Sequence, residues 1–173
     1  MESSAISSRY PAVSSRSQKT TSRGYCHSPK RTHALLSIKP RYSDAIFRGE
    51  KRFEFRRAIF RRPVAVVVVY TTSPVSRVVG EFDIEGIITD TIEGLWRRTK
   101  HCAGIDRERF FSYFAGRKVG HAIAIGAVRL YPRSLDLPDT FGMRAPQSFA
   151  YLNFTRRGRS ATSLRPVMPR ATL

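Results

Sequence analysis

A chain of 173 residues, 41% of them hydrophobic and 11% aromatic, is long enough for one packed domain with tails. Its formal charge of +18, from 31 Lys and Arg against 13 Asp and Glu, favours a polyanionic partner, nucleic acid before a membrane surface. No apolar run approaches the ~18 residues of a membrane span, and Cys26 and Cys102 form neither a disulfide framework nor a Cys-x-x-Cys pair, so a soluble protein of a reduced, cytoplasmic compartment without metal or cofactor is expected.

Residues 1–32 hold six basic residues and one acidic, are rich in Ser, Arg and Thr, and offer little apolar surface. They cannot offset their chain entropy and read as a disordered basic leader. Its composition resembles a transit peptide, although no amphipathic run accompanies it. Residues 155–173, with five basic residues and none acidic, read as a disordered basic tail. Residues 33–154 between them form the predicted domain, itself positively charged.

Residues 33–39 read as a first strand, ended by Pro40. Residues 41–48 follow as a short helix with Tyr42, Ala45 and Ile46 on one side, and Gly49 stands where a left-handed cap is wanted. From Arg52 the chain alternates: Phe53 and Phe55 share one face, while Arg52, Glu54 and Arg56 share the other. Two readings fit this strand. In one, Glu54 is merely neutralised by neighbouring arginines on a half-buried surface. In the other, Lys51 and Arg56 accept an anion in a polar cleft, and Glu54 accepts hydrogen bonds from a base or sugar.

Residues 64–70 are β-branched on both faces, as a doubly buried central strand requires. Residues 75–79 and 80–88 read as extended segments, with a bulge or bend where Ile87 and Ile88 break the alternation. Asp90 and Thr91 open a helix carrying Ile92, Leu95 and Trp96, and Asp106 caps a second helix with Phe110, Tyr113 and Phe114 before Gly116. These aromatics read as core, with Trp96 the one candidate for stacking a nucleic-acid base. Residues 121–130 form another strand, 131–139 and 142–146 read as loop, and 149–154 as a closing strand. The order indicates an α+β fold, a small mixed β-barrel with peripheral helices.

Gly49, Lys51, Glu54 and Arg56 resemble the G-x-K-x-x-E-x-R signature of the ASCH family, whose members have a PUA-like barrel. Residues 34–40 and 42–47 resemble that family's first strand and helix, and residues 70–74 and 144–149 resemble a subgroup labelled predicted transcriptional regulators. The resemblance covers residues 33–153. It implies a nucleic-acid-binding module, with RNA or a modified base favoured over duplex DNA, and a regulatory role in gene expression within its range. Lys39, Lys51, Arg56 and Arg57 are the candidate phosphate donors and Glu54 the candidate acceptor, with Trp96, Arg144, Gln147 and Ser148 as further contacts and Tyr70 a weaker one.

The alternative is a hydrolase using the same cleft. An amidohydrolase of this family uses a Lys, a Thr and a Glu. Lys51 corresponds to the Lys, but Glu54 stands in place of the Thr, and no carboxylate occurs at 102–104. For a ribonuclease, Lys51 and Glu54 would be the acid–base pair and Arg56 the group stabilising the phosphorane.

Overall fold

The computed structural model describes residues 32–152, so the predicted tail and nearly all of the predicted leader lie outside the described residues. In chain order the elements are β1 (His33–Ile38), α1 (Pro40–Phe47), β2 (Phe53–Arg56), β3 (Val66–Thr71), β4 (Arg77–Thr91), α2 (Ile92–Thr99), α3 (Arg107–Tyr113), β5 (Val119–Leu135), α4 (Leu137–Phe141) and β6 (Phe149–Leu152). The strands form a six-stranded sheet in the order β2-β5-β4-β3-β1-β6. β1 runs parallel to β3, and the other neighbours are antiparallel. The α+β class and the peripheral helices are as the sequence predicts.

The closed barrel is not. β2 and β6 are the two edges of the sheet, and backbone pairing does not join them. Each is four residues long, and Pro63 and Pro146 nearby carry no N–H to extend a ladder. Side chains bridge the gap instead. The Phe60 and Phe149 rings meet edge to face at 5.0 Å, and the Tyr151 hydroxyl accepts from the backbone N–H groups of Arg61 and Arg62 at 2.8 and 3.2 Å.

Local chemistry accounts for the helix positions. Pro40 occupies the first turn of α1, where a missing N–H costs nothing. Gly49, at φ +78°, turns the chain so that Glu50 and Lys51 both donate to the Ala45 carbonyl, at 2.9 and 3.0 Å. Thr91 caps α2 and Asp106 caps α3 through side-chain oxygens.

Two further expectations are corrected. The segments at 75–79 and 80–88 are one 15-residue strand, β4, whose register shifts lie at Val78/Gly80, Phe82/Ile84 and Ile84/Gly86 rather than at Ile87 and Ile88. Glycine permits the first: a Cβ on Gly80 would meet the Arg129 carbonyl at 2.4 Å and the Phe47 ring at 2.7 Å. Residues 131–139 are also more regular than a loop. β5 continues to Leu135, pairing with Val78, and Asp136 caps α4, whose Leu137 is buried with Leu35, Val68 and Val78.

That cluster covers one face of β1 and β3. Their other face supplies Leu36, Ile38, Val67 and Val69 to a cluster with Ile46 of α1 and Phe82 of β4. This accounts for the predicted two-sided burial of β3. A third, aromatic cluster packs α2 and α3 on Phe55 of β2 through Leu95, Phe110 and Phe114. The polar cleft lies over β2 between α1 and α3.

Candidate functional site

The cleft has a volume of about 490 Å³ and is walled by the end of β1, the start of α1, β2 and the inner side of α3. Six cationic side chains line it: Lys39, Arg41, Lys51, Arg56, Arg57 and Arg109. Glu54 is the one carboxylate among the described lining residues.

Lys51 lies deepest. It is 2% exposed, an unusual state for a lysine outside a functional site. Its ammonium donates to the Ala103 carbonyl at 2.9 Å and stands 3.8 Å from Glu54 Oε2. It also lies 4.7 Å from the centroid of the Phe55 ring and 5.1 Å from that of Tyr42. Burial pushes its pKa below the ordinary lysine value, against the pull of Glu54 and with the repulsion of Arg41.

Glu54 is 6% exposed and shares its oxygens: Oε2 faces Lys51, and Oε1 faces Arg56 at 3.8 Å. The sequence reading of a carboxylate between Arg52 and Arg56 is therefore half right. β2 begins at Phe53, which leaves Arg52 exposed in the preceding connection, and Lys51 takes its place beside Glu54. Arg56 donates one terminal nitrogen to the Ser148 carbonyl, while its buried Nε has no hydrogen-bond partner among the described residues.

The other predicted residues divide. Lys39, at the N-cap of α1, and Arg57, stacked 4.7 Å over Tyr113, lie on the cleft wall. Ser148 does not line the cleft but adjoins it through Ser37, which donates from its N–H to the Ser148 carbonyl at 3.2 Å and from its hydroxyl to that of Pro146 at 2.6 Å. Arg144 and Gln147 are exposed on the same loop, outside the cleft lining. Trp96 packs against Phe110 and Phe111 at 5.0 and 6.1 Å, and Tyr70 joins the cluster around Leu137; neither lines the cleft.

Sequence reasoning missed Arg41, Tyr42, Arg109, Ser112 and Tyr113. The signal was the i, i+4 pair Arg109 and Tyr113 on α3, hidden among aromatics assigned to the core. Phe110 and Phe114 do face the core, but Tyr113 faces the cleft, where burial raises its hydroxyl pKa. Among the described residues no group of three or more His, Cys, Asp or Glu could hold a metal, and no helix is long and apolar enough to cross a membrane.

No family model matches the chain. By sequence it is similar to an ASCH domain-containing ribonuclease of Zymomonas mobilis, 31% identical over 98 residues that make up 56% of this chain and 66% of that protein. It also matches two Ureaplasma parvum proteins over 119 residues, 68% of this chain. These are ATP synthase subunit alpha, 31% identical, and large ribosomal subunit protein uL22, 29% identical, of which the chain spans only 15% and 38%. By structure it is similar to ASCH from Zymomonas mobilis, with a TM-score of 0.66 and 27% identity over 70% of this chain and 88% of that one. A variant of the same protein gives 0.67 and 26%, over 72% and 92%. Together these findings place an ASCH domain, with its PUA-like α+β fold, in this chain.

Proposed function

We propose that the chain binds single-stranded RNA in the Lys51 cleft and cleaves it there. The observation that carries this is the buried Lys51–Glu54 pair in a cavity whose other charged lining residues are all cations. The ribonuclease name of the Zymomonas relative supports the same reading. So does Arg56, a guanidinium on the cleft wall of the kind that takes phosphoryl oxygens.

The step is a transesterification. Glu54 Oε1, turned away from Lys51, takes the proton of a ribose 2′-hydroxyl, whose oxygen bonds to the adjacent phosphorus. The bond from phosphorus to the 5′-oxygen breaks, and Lys51 gives that oxygen its proton. The products are a 2′,3′-cyclic phosphate and a 5′-hydroxyl, and proton transfer from Glu54 to Lys51 restores the pair. A lowered amine pKa makes Lys51 a better acid, and Arg41 and Arg56 are placed to hold the charge of the phosphorane. An amidohydrolase reading gains nothing from the geometry. Asp106 caps α3 and pairs with Arg109 at 3.0 Å, and neither it nor Glu108 lines the cleft. Regulation of gene expression would follow from RNA turnover without a separate DNA-reading element.

The test incubates the purified full chain with single-stranded RNA, with the same RNA methylated at every 2′-oxygen, and with DNA of the same sequence. Cleavage of the first alone, abolished in Lys51→Met and Glu54→Gln, is the expected result. Intact RNA that binds with Lys51-dependent affinity would reduce the cleft to a binding module. Cleavage unchanged in Lys51→Met would overturn the assignment.

A further inference from the structure

Beyond the cleft, two stretches of the sequence carry no acidic residue. Residues 55–80 contain no Asp or Glu, and neither do residues 140–152. The two segments meet at the seam between β2 and β6. There Arg62 lies 4.0 Å from the centroid of the Tyr151 ring, and Tyr151 in turn contacts Phe60 and Phe149 at 6.4 and 5.8 Å. Arg61 and Arg62 are exposed, and the three aromatic rings are half-buried. Arg56 links the seam to the cleft, since it lines the cavity and donates to the Ser148 carbonyl just before β6.

We propose that this seam is a second contact for the strand held in the cleft: the RNA passes over Arg56 and Ser148 and stacks an unpaired base on the Arg62–Tyr151 platform. The inference rests on the RNA reading of the cleft. Its chemistry is that of single-strand recognition, in which aromatic and guanidinium planes take bases and a positive, acid-free path follows the phosphates. Arg62 is already ordered on Tyr151, so a base stacking on it gains a platform with little further loss of side-chain freedom. The half-buried Phe60 and Phe149 support the platform from the core side.

The experiment measures equilibrium binding of 2′-O-methyl oligonucleotides, which resist the cleavage, to the full chain. A dinucleotide fills the cleft alone, and an octanucleotide reaches the seam as well. Wild-type protein should bind the octanucleotide about tenfold or more better than the dinucleotide, beyond the statistical gain from overlapping registers. Arg62→Ala and Tyr151→Leu should lose that gain and leave dinucleotide affinity unchanged. Arg62 is exposed, so its variant keeps the test valid if Tyr151→Leu fails to fold. The basic residues outside the described domain are common to all variants and cancel. Dinucleotide binding with an undiminished length gain in Arg62→Ala would overturn the seam and leave the cleft standing. Dinucleotide binding that is absent, or unaffected by Lys51→Met, would overturn the cleft reading and the seam with it.

Discussion

Gly104 lies against the side chain of Lys51 so closely that a Cβ on Gly104 would stand 2.4 Å from Lys51 Cβ and 2.7 Å from its Cγ. The backbone there has φ +61°, and the adjoining Ala103 carbonyl holds the Lys51 ammonium at 2.9 Å. A further bond, from Arg52 N–H to the Cys102 carbonyl at 2.9 Å, fixes the loop to the start of β2. This short stretch of main chain covers one side of Lys51, and the Tyr42 and Phe55 rings lie near its ammonium.

Substituting Gly104→Ala should therefore cost about 2–4 kcal/mol, part from the left-handed backbone and part from the collision. Gly116→Ala is the control: its φ is +75°, but nothing lies within 4 Å of the added methyl. Urea unfolding should show Gly116→Ala losing only the backbone share, about 1–2 kcal/mol. RNA cleavage should fall in the Gly104 variant alone, because Lys51 must shift to make room. Equal losses of stability in the two variants would remove the contact from the account.

The Lys51 amine sets a pH dependence of stability. Its pKa is depressed in the folded chain relative to the ordinary lysine value of 10.5. Between the two values the unfolded chain binds more protons, so stability rises with pH through that window, and the penalty of the buried charge is fully present below it. Lys51→Met keeps the apolar stem and removes the titration. Wild-type protein should accordingly gain stability on Lys51→Met as pH rises toward about 10, measured by unfolding at each pH. Cleavage should move the other way in that window and decline with pH, since the lysine must carry its proton to act as the acid. A stability difference that is flat with pH would contradict the burial of the charged amine.

On β4 and β5, away from the cleft, Arg129 bridges Glu81 at 2.7 Å and Asp83 at 2.6 Å, and the Tyr131 hydroxyl donates to Glu81 at 2.8 Å. Its guanidinium pKa is raised by these carboxylates, with Asp83 the stronger influence. Arg129→Met would leave two acids side by side without their shared cation. A quarter of the Arg129 side chain is exposed, so solvent screens the pair, and a loss of about 1–2 kcal/mol is expected. RNA affinity should stay within about twofold of wild type by the ordinary behaviour of sites that share no partners. Thermal unfolding beside RNA binding checks both halves.

Trp96 is the single tryptophan of the chain, and its fluorescence reports on the α2–α3 cluster rather than on bound RNA. Trp96→Phe should cost about 1 kcal/mol through lost packing against Phe110 and Phe111, with RNA affinity and cleavage unaltered. Quenching of that fluorescence by saturating RNA, together with lost affinity in the variant, would make Trp96 a base contact after all.

Much of this is legible in the sequence, and the reason is local chemistry. Gly49, Pro40 and the caps at Thr91 and Asp106 act within a few residues of themselves, so the sequence shows them directly. Alternation in β2 likewise revealed Glu54 and Arg56 on one face. Lys51 was named from its motif, but its burial was not foreseen, because the groups that bury it (Ala103, Gly104, Tyr42) come from other parts of the chain. The α3 contribution was hidden for the same reason: which side of a short aromatic helix meets the core depends on the strand it lies upon. Closure of the sheet depends on whether β2 and β6, 92 positions apart between Arg56 and Ser148, meet by backbone or by side chains, and no local pattern encodes that.

The bridged edges have one more consequence. An open sheet exposes rows of unpaired main-chain donors and acceptors to which a strand of another molecule can attach, the first step toward fibrils. Here the Ser148 carbonyl is occupied by a guanidinium, and the amides of Arg61 and Arg62 by a phenol. The two margins of the sheet blunt one another, which protects a basic domain from self-assembly without a continuous ring of strands.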